Sequence, residues 1–182
     1  EWDGNLTETR INNIDFRWER FSTRGQLLSV SLFYKSFEDP IELVRIQAQA
    51  TSSEFQPRNV GNGEVFGAEF EFRKALGFIS SSLRNFSFNG NLTVVESQID
   101  MTEQEFLARK SREKEGETID DTRQMAGQAP FLINAGLQYD NPALGLDAGF
   151  FYNLKGETLT VVGGGLFPDV YTSPFNNLRF NL

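Results

Sequence analysis

Glu69 and Glu71 stand two residues apart in the stretch EVFGAEFEFR (64–73). On an extended chain, side chains two apart share a face and sit roughly 6.5–7 Å apart along the strand, a separation a pair of glycosidase carboxylates could use. Charged residues on the polar face of a strand near a rim account for them without catalysis. Asp120 and Asp121, with Glu117 nearby, form a second acidic group. They could offer oxygens to calcium, but the spacing lacks the EF-hand pattern and its glycine, and a solvated loop suffices. The glycine-rich VVGGGLFPD (161–169) has no following Lys-Ser or Lys-Thr, so it is not a phosphate-cradling loop, and backbone freedom explains it. Asn-X-Ser/Thr triplets begin at Asn5, Asn85 and Asn91. Two of them lie in or beside a strand pattern, where the match to a glycosylation motif is incidental. Nothing assembles a nucleophile, a base and an orienting group. No residue is therefore assigned a catalytic, cofactor or metal role, and the ligand-binding residues stay open.

Composition narrows the chemistry further. The 182 residues hold no cysteine and no histidine, which removes disulfides, thiolate sites, and the commonest general base and transition-metal ligand. A net charge of −8 leaves no basic surface for nucleic acid. Phenylalanine is abundant, at 18 residues. Mean hydropathy is −0.37, and no run of about 18 apolar residues could form a membrane helix. That value is still compatible with a membrane barrel, whose strands are only half apolar. No charged-then-apolar signal segment opens the chain at Glu1-Trp2-Asp3, so the expectation is either a mature start or a piece of something larger.

The elements that must position these residues are strands. Alternation of apolar and polar residues recurs at 13–21, 28–37, 64–73, 86–95, 131–139 and 146–154, with a last strand near 177–182. Weaker strands are expected near 41–49 and within 157–177. Asp39-Pro40 ends the second segment. The clear strands run about nine or ten residues, which suits a tilted bilayer crossing better than a soluble strand of roughly five or six. Connections at 22–26, 74–85 and 140–145 are short, while those at 38–63, 96–124 and 155–176 are long. Short and long take turns, as in an up-and-down barrel with tight turns at one rim and extended loops at the other. Thr102 and Glu105 match a capping box, Glu105 and Arg109 are spaced i,i+4, and Gly116 could end a helix, so 102–115 is expected to be helical.

The two faces differ in kind. One carries Phe, Leu, Ile, Val, Ala and Tyr without charge in the four clearest segments; the other carries Asn, Gln, Ser, Thr, Gly and carboxylates. Asn89, Asn91, Asn134, Gln138 and Asn153 suit hydrogen bonding to buried polar groups. Trp18, Phe21, Tyr34, Phe37, Phe131 and Tyr139 fall near strand ends, where an aromatic girdle belongs.

An ordered series of blocks then carries a resemblance: NIDFRWERF, LLSVSLFYKSFEDPIE, NVGNGEVFGAEFEFRKAL, LRNFSFNGNLTVVESQI, MAGQAPFLINAGLQYDN and GLDAGFFYNLKGETLTVVG. Together they cover nearly the whole chain, which resembles the barrel of TonB-dependent outer-membrane receptors, particularly the Bacteroidetes branch with the starch-utilisation-type transporters. The resemblance implies an all-β, antiparallel transmembrane barrel of about 22 strands around an N-terminal plug, in the bacterial outer membrane. It implies active uptake of a siderophore, cobalamin, oligosaccharide or peptide, and no enzyme. Residues 1–182 would be a late section of about eight or nine strands, with the plug and the energy-coupling segment elsewhere. Implied partners are outer-membrane lipid, the plug, the TonB complex and a surface lipoprotein. Two other classes stay open. A passive or structural barrel would lack a plug sequence upstream, and a soluble β-sandwich, such as a carbohydrate-binding module, would stay folded without detergent.

Overall fold

The computed structural model describes residues 5–22, 25–46, 54–164 and 167–182. Strands β1 (Arg10–Ser22) and β2 (Gln26–Glu38) form the first hairpin, and β3 (Ile41–Ile46) pairs with β4 (Glu54–Asn59). Strands β5 (Gly63–Ala75) and β6 (Phe86–Asp100) are joined through two 3-10 turns. Helix α1 (Glu103–Lys110) and β7 (Thr122–Arg123) follow, then β8 (Phe131–Asn141) and β9 (Leu146–Lys155). Strands β10 (Thr158–Val161) and β11 (Val170–Thr172) precede β12 (Phe175–Asn181).

The long strands make one antiparallel wall in the order β1-β2-β5-β6-β8-β9-β12, with β7 added on β6. Each strand pairs with the next long strand in sequence, as an up-and-down topology requires. Register puts like with like. The row Trp18, Val30, Phe70, Leu92, Ile133 and Leu154 crosses six strands on the apolar face. Most of that face is open to the surroundings, including Phe16, Phe66, Phe70, Phe150 and Phe180. Aromatic pairs tie neighbouring strands along it: Phe86 with Tyr139 (4.9 Å between centroids) and Phe150 with Phe180 (4.8 Å).

Turns fall where the sequence permits them. Gly145 (φ 61°) closes the β8–β9 turn by donating its amide to the Pro142 carbonyl. Asp39, at φ 52°, adopts the left-handed conformation as the chain leaves β2, and its carbonyl accepts from the Asn59 and Thr9 side chains. The β1–β2, β5–β6 and β8–β9 links gather at one end of the wall, and the three long connections at the other.

Four expectations need correction. The weak strands near 41–49 and within 157–177 form as the β3–β4 and β10–β11 hairpins, off the wall. With six, six, four and three residues they are too short to cross a bilayer. The tail of the first, residues 47–49, lies outside the described residues, as do Glu1–Asp3 and the middles of the 22–26 turn and the 161–169 run.

The second correction is to the helix, which stops at Lys110 instead of 115. Thr102 does cap it, accepting from the Glu105 amide at 3.3 Å. The chain then tightens into turns, and Lys110 and the Ile119 amide both bond Glu113, holding its carboxyl below the usual range.

Third, Phe21 and Phe37 share the register of the polar face, in line with Leu27 and Gly63 respectively, so they do not belong to an outward girdle. Fourth, Trp18 stands at mid-strand opposite Val30.

Leu92 sits at mid-height on the apolar face between Phe70 and Ile133, whereas Gln138 is exposed on the polar face. In lipid, Leu92→Arg should destabilise the complete barrel by about 2–4 kcal/mol. Gln138→Arg should cost less than about 1 kcal/mol. Denaturant titration of vesicle-inserted protein measures both, and equal losses would contradict the assignment of the faces.

Candidate functional site: the polar wall and the loop junction

On the polar face, register lines up Glu19, Ser29, Glu71, Asn91, Asn134, Asn153 and Asn177 across seven consecutive strands. The amides link sideways. Asn153 Nδ2 donates to Asn134 Oδ1 (2.6 Å), and Asn134 Nδ2 donates to Asn91 Oδ1 (3.4 Å). Arg17 donates to both Glu19 (2.5 Å) and Glu71 (3.3 Å) and to Ser31 Oγ (3.2 Å). Ser29, in register between those carboxylates, is only 1% exposed. The Arg17 group itself is nearly half exposed, so its pairs orient side chains more than they stabilise the wall.

Glu69 and Glu71 thus keep separate partners. Glu69 accepts from Thr93 Oγ1 (3.4 Å) and Asn91 Nδ2 (3.5 Å), while Glu71 belongs to Arg17. Of the five residues expected to hydrogen-bond, Asn91, Asn134 and Asn153 come together in the ladder. Asn89 is displaced from it by one row, packed beside Gly136, and Gln138 stands a further row away. The polar face also seats rings on glycines. A Cβ on Gly67 would collide with the Phe33 ring, and one on Gly149 would lie 2.7 Å from Phe151 Cε2.

A second polar centre lies among the long connections. Arg123, on β7, donates to Glu42 Oε2 (2.7 Å), to Glu105 Oε1 (2.5 Å) and to the Gln124 carbonyl (3.0 Å). Arg109 grips Asp169 with two bonds (2.7 and 2.9 Å) and reaches Glu105 at 3.1 Å. The charges alternate along the chain Glu42, Arg123, Glu105, Arg109, Asp169. Arg123 and Glu42 are each 8% exposed. Burial opposes the Arg123 charge, but the bonds and charges of Glu42 and Glu105 outweigh it and hold the guanidinium pKa above its ordinary value. Glu42 Oε1 also accepts from the Ala126 amide (2.8 Å), and Asp169 Oδ1 from the Gly163 amide (2.8 Å).

The glycine run has a more specific cause than backbone freedom. Neither Gly163 nor Gly164 has a positive φ. A Cβ on Gly164 would overlap the Arg45 carbonyl oxygen, and one on Gly163 the Phe167 carbonyl oxygen. Gly164 lets the third long connection approach the first, where the Arg45 amide bonds the Val162 carbonyl at 3.2 Å, while Gly163 lets the third connection fold closely on itself. Glu117, Asp120 and Asp121 stay in the second connection, and among the described residues no acidic group is gathered closely enough to hold a metal ion. Sequence reasoning missed Arg123, Glu42 and Asp169. Their partners lie 81 and 60 residues away, beyond any local pattern. A charged residue flanked by Ile41 and Leu43 was the available sign.

Residues 2–181 match the family described as TonB dependent receptor-like, beta-barrel. The chain belongs to the TonB-dependent receptor β-barrel family. Among solved structures, a chain named Copper transporter OprC shares the fold with a TM-score of 0.66 at 15% identity. That match covers 97% of this chain and 23% of the transporter, so residues 1–182 span about a quarter of that length. No curated protein matches the sequence. Leu28, Val30, Leu32 and Tyr34 stand on the apolar face of this wall, in register with Phe72, Phe70, Ala68 and Phe66.

Gly164→Ala should push the first and third connections apart while leaving the receptor wall intact, at a cost of about 1–3 kcal/mol. Hydrogen exchange at the Arg45 amide should accelerate by roughly tenfold or more. Unchanged protection there would mean that the junction tolerates a methyl group.

Proposed function

We propose that this chain is a barrel section of an energised outer-membrane importer, in which a ligand bound from outside enters on action of the TonB complex. The observation that carries this reading is the polar wall, taken with the family. Its amides and hydroxyls, Asn91, Asn134, Asn153, Asn177 and Thr93, form a hydrogen-bonding surface suited to an internal plug. An open conducting channel favours rings of charge and free water instead. The importer's partners are the plug, the TonB complex, outer-membrane lipid and a surface lipoprotein. Copper is named for OprC alone. This segment, with no His, no Cys and two Met, supplies little soft-ligand chemistry for that metal, and the ligand class is left to experiment.

Cells carrying the complete protein should lose uptake when the proton gradient is dissipated or TonB is deleted, while surface binding persists. Uptake undiminished without TonB would leave only a passive barrel.

The same proposal fixes orientation, with the long connections outside the cell and the short turns in the periplasm. The segment lacks cysteine, so each single substitution places one thiol at a known position in it. Ser111→Cys, just past α1, should react with an impermeant maleimide on intact cells, and Ser22→Cys should not; the opposite pattern would invert the topology.

A further inference from the structure

The long connections fold back over the polar side of the wall. At the loop end, Val65, Val95, Ser97 and Ile99 are buried, and all four lie in polar-face register. What covers them comes from the connections: β7 pairs with β6 at Ile99, and the Met125 amide donates to Ser97 Oγ at 3.2 Å. The other buried apolar residues, Val60, Ala129, Leu159 and Val162, belong to the first, second and third connections. Each pair of connections is joined. First and second meet through Glu42, with Arg123 and the Ala126 amide. Second and third meet through Arg109–Asp169 and through the Gly127 amide on the Leu159 carbonyl (2.7 Å). First and third meet at Arg45–Val162, and β10 lies against β3.

We propose that the described parts of the three long connections form a single gate over the loop end of the polar wall, keyed by Arg123 and opening as one unit. The gate's role in admitting ligand rests on the importer reading; its unity does not. Three independent loops would satisfy their charges within themselves. Here both ends of the five-membered ion-pair chain cross from one connection to another, and its interior is shielded from water. Removing Arg123 leaves the buried Glu42 carboxylate without a counter-charge and Glu105 with Arg109 alone. Lysine keeps the charge but lacks the planar fork that reaches Glu42, Glu105 and the Gln124 carbonyl at once.

The test uses the complete protein in intact cells, with a buried reporter in each connection: Val60→Cys, Ala129→Cys or Val162→Cys, one at a time. Reaction with a small impermeant maleimide should be slow at all three. Adding Arg123→Ala should speed all three by a similar factor, on the order of a hundredfold, and Arg123→Lys by less. Acceleration confined to Ala129→Cys, the reporter on Arg123's own connection, would show independent loops and overturn the proposal. So would fast reaction at every reporter with Arg123 intact. Asp169→Asn guards against misfolding of the Arg123 variants. It loosens only the far end of the ion-pair chain, yet should still accelerate Val60→Cys; no change there would also overturn a single gate. Ser111→Cys first establishes that the long connections face outside, and no reading depends on ligand or TonB, so failure of the gate is separable from failure of the importer.

Discussion

A strand in hydrocarbon has no water to bond its backbone, so every amide and carbonyl must find a partner in the next strand. This constraint organises the wall. It requires unbroken antiparallel register, which in turn puts alternate side chains on opposite faces of the wall. The apolar face is open, with no protein core behind it among the described residues. The inner face is free to carry Arg17, Glu69, Glu71 and the asparagine ladder because water or another polar surface meets it there.

Beyond the bilayer the rule reverses. The long connections reach water, so they need no continuous ladder, but they do need something to hold them. Packing and charge supply it. The described residues' buried apolar side chains collect at the loop end, and the shielded ion pairs sit among them. Arg123 shows why such a site is stable only when complete: two carboxylates and a carbonyl satisfy one guanidinium, and losing it strands the buried Glu42 carboxylate. The close backbone approach at Gly164 belongs to the same arrangement, since any side chain there would hold two connections apart.

The wall was legible in the sequence because its rules are local. A period of two marks each strand, Asp39-Pro40 and Pro142–Gly145 mark turns, and the alternation of short and long links reports the topology. The same locality misled at the ends. Phe21 and Phe37 look like girdle residues until register assigns them to the inner face, and the weak strands expected near 41–49 and within 157–177 prove to be two-stranded hairpins off the wall. The candidate site was half visible. The amides announced a polar interior, but which of them line up depends on the stagger between β6, β8 and β9, which no single segment encodes. The Arg123 junction was invisible because its geometry exists only after three connections converge.

That convergence has a bearing on the order in which the molecule assembles. The β1–β2, β5–β6 and β8–β9 hairpins form across short turns with little loop closure, whereas β2–β5, β6–β8 and β9–β12 must each close a long connection. The contacts of Glu42 are of another kind, closing onto Arg123 and Ala126 across separations of 81 and 84 residues. They can form only once β5, β6 and β7 have brought both sides to the same rim. Closure over such separations makes the loop end the last part of this segment to become native.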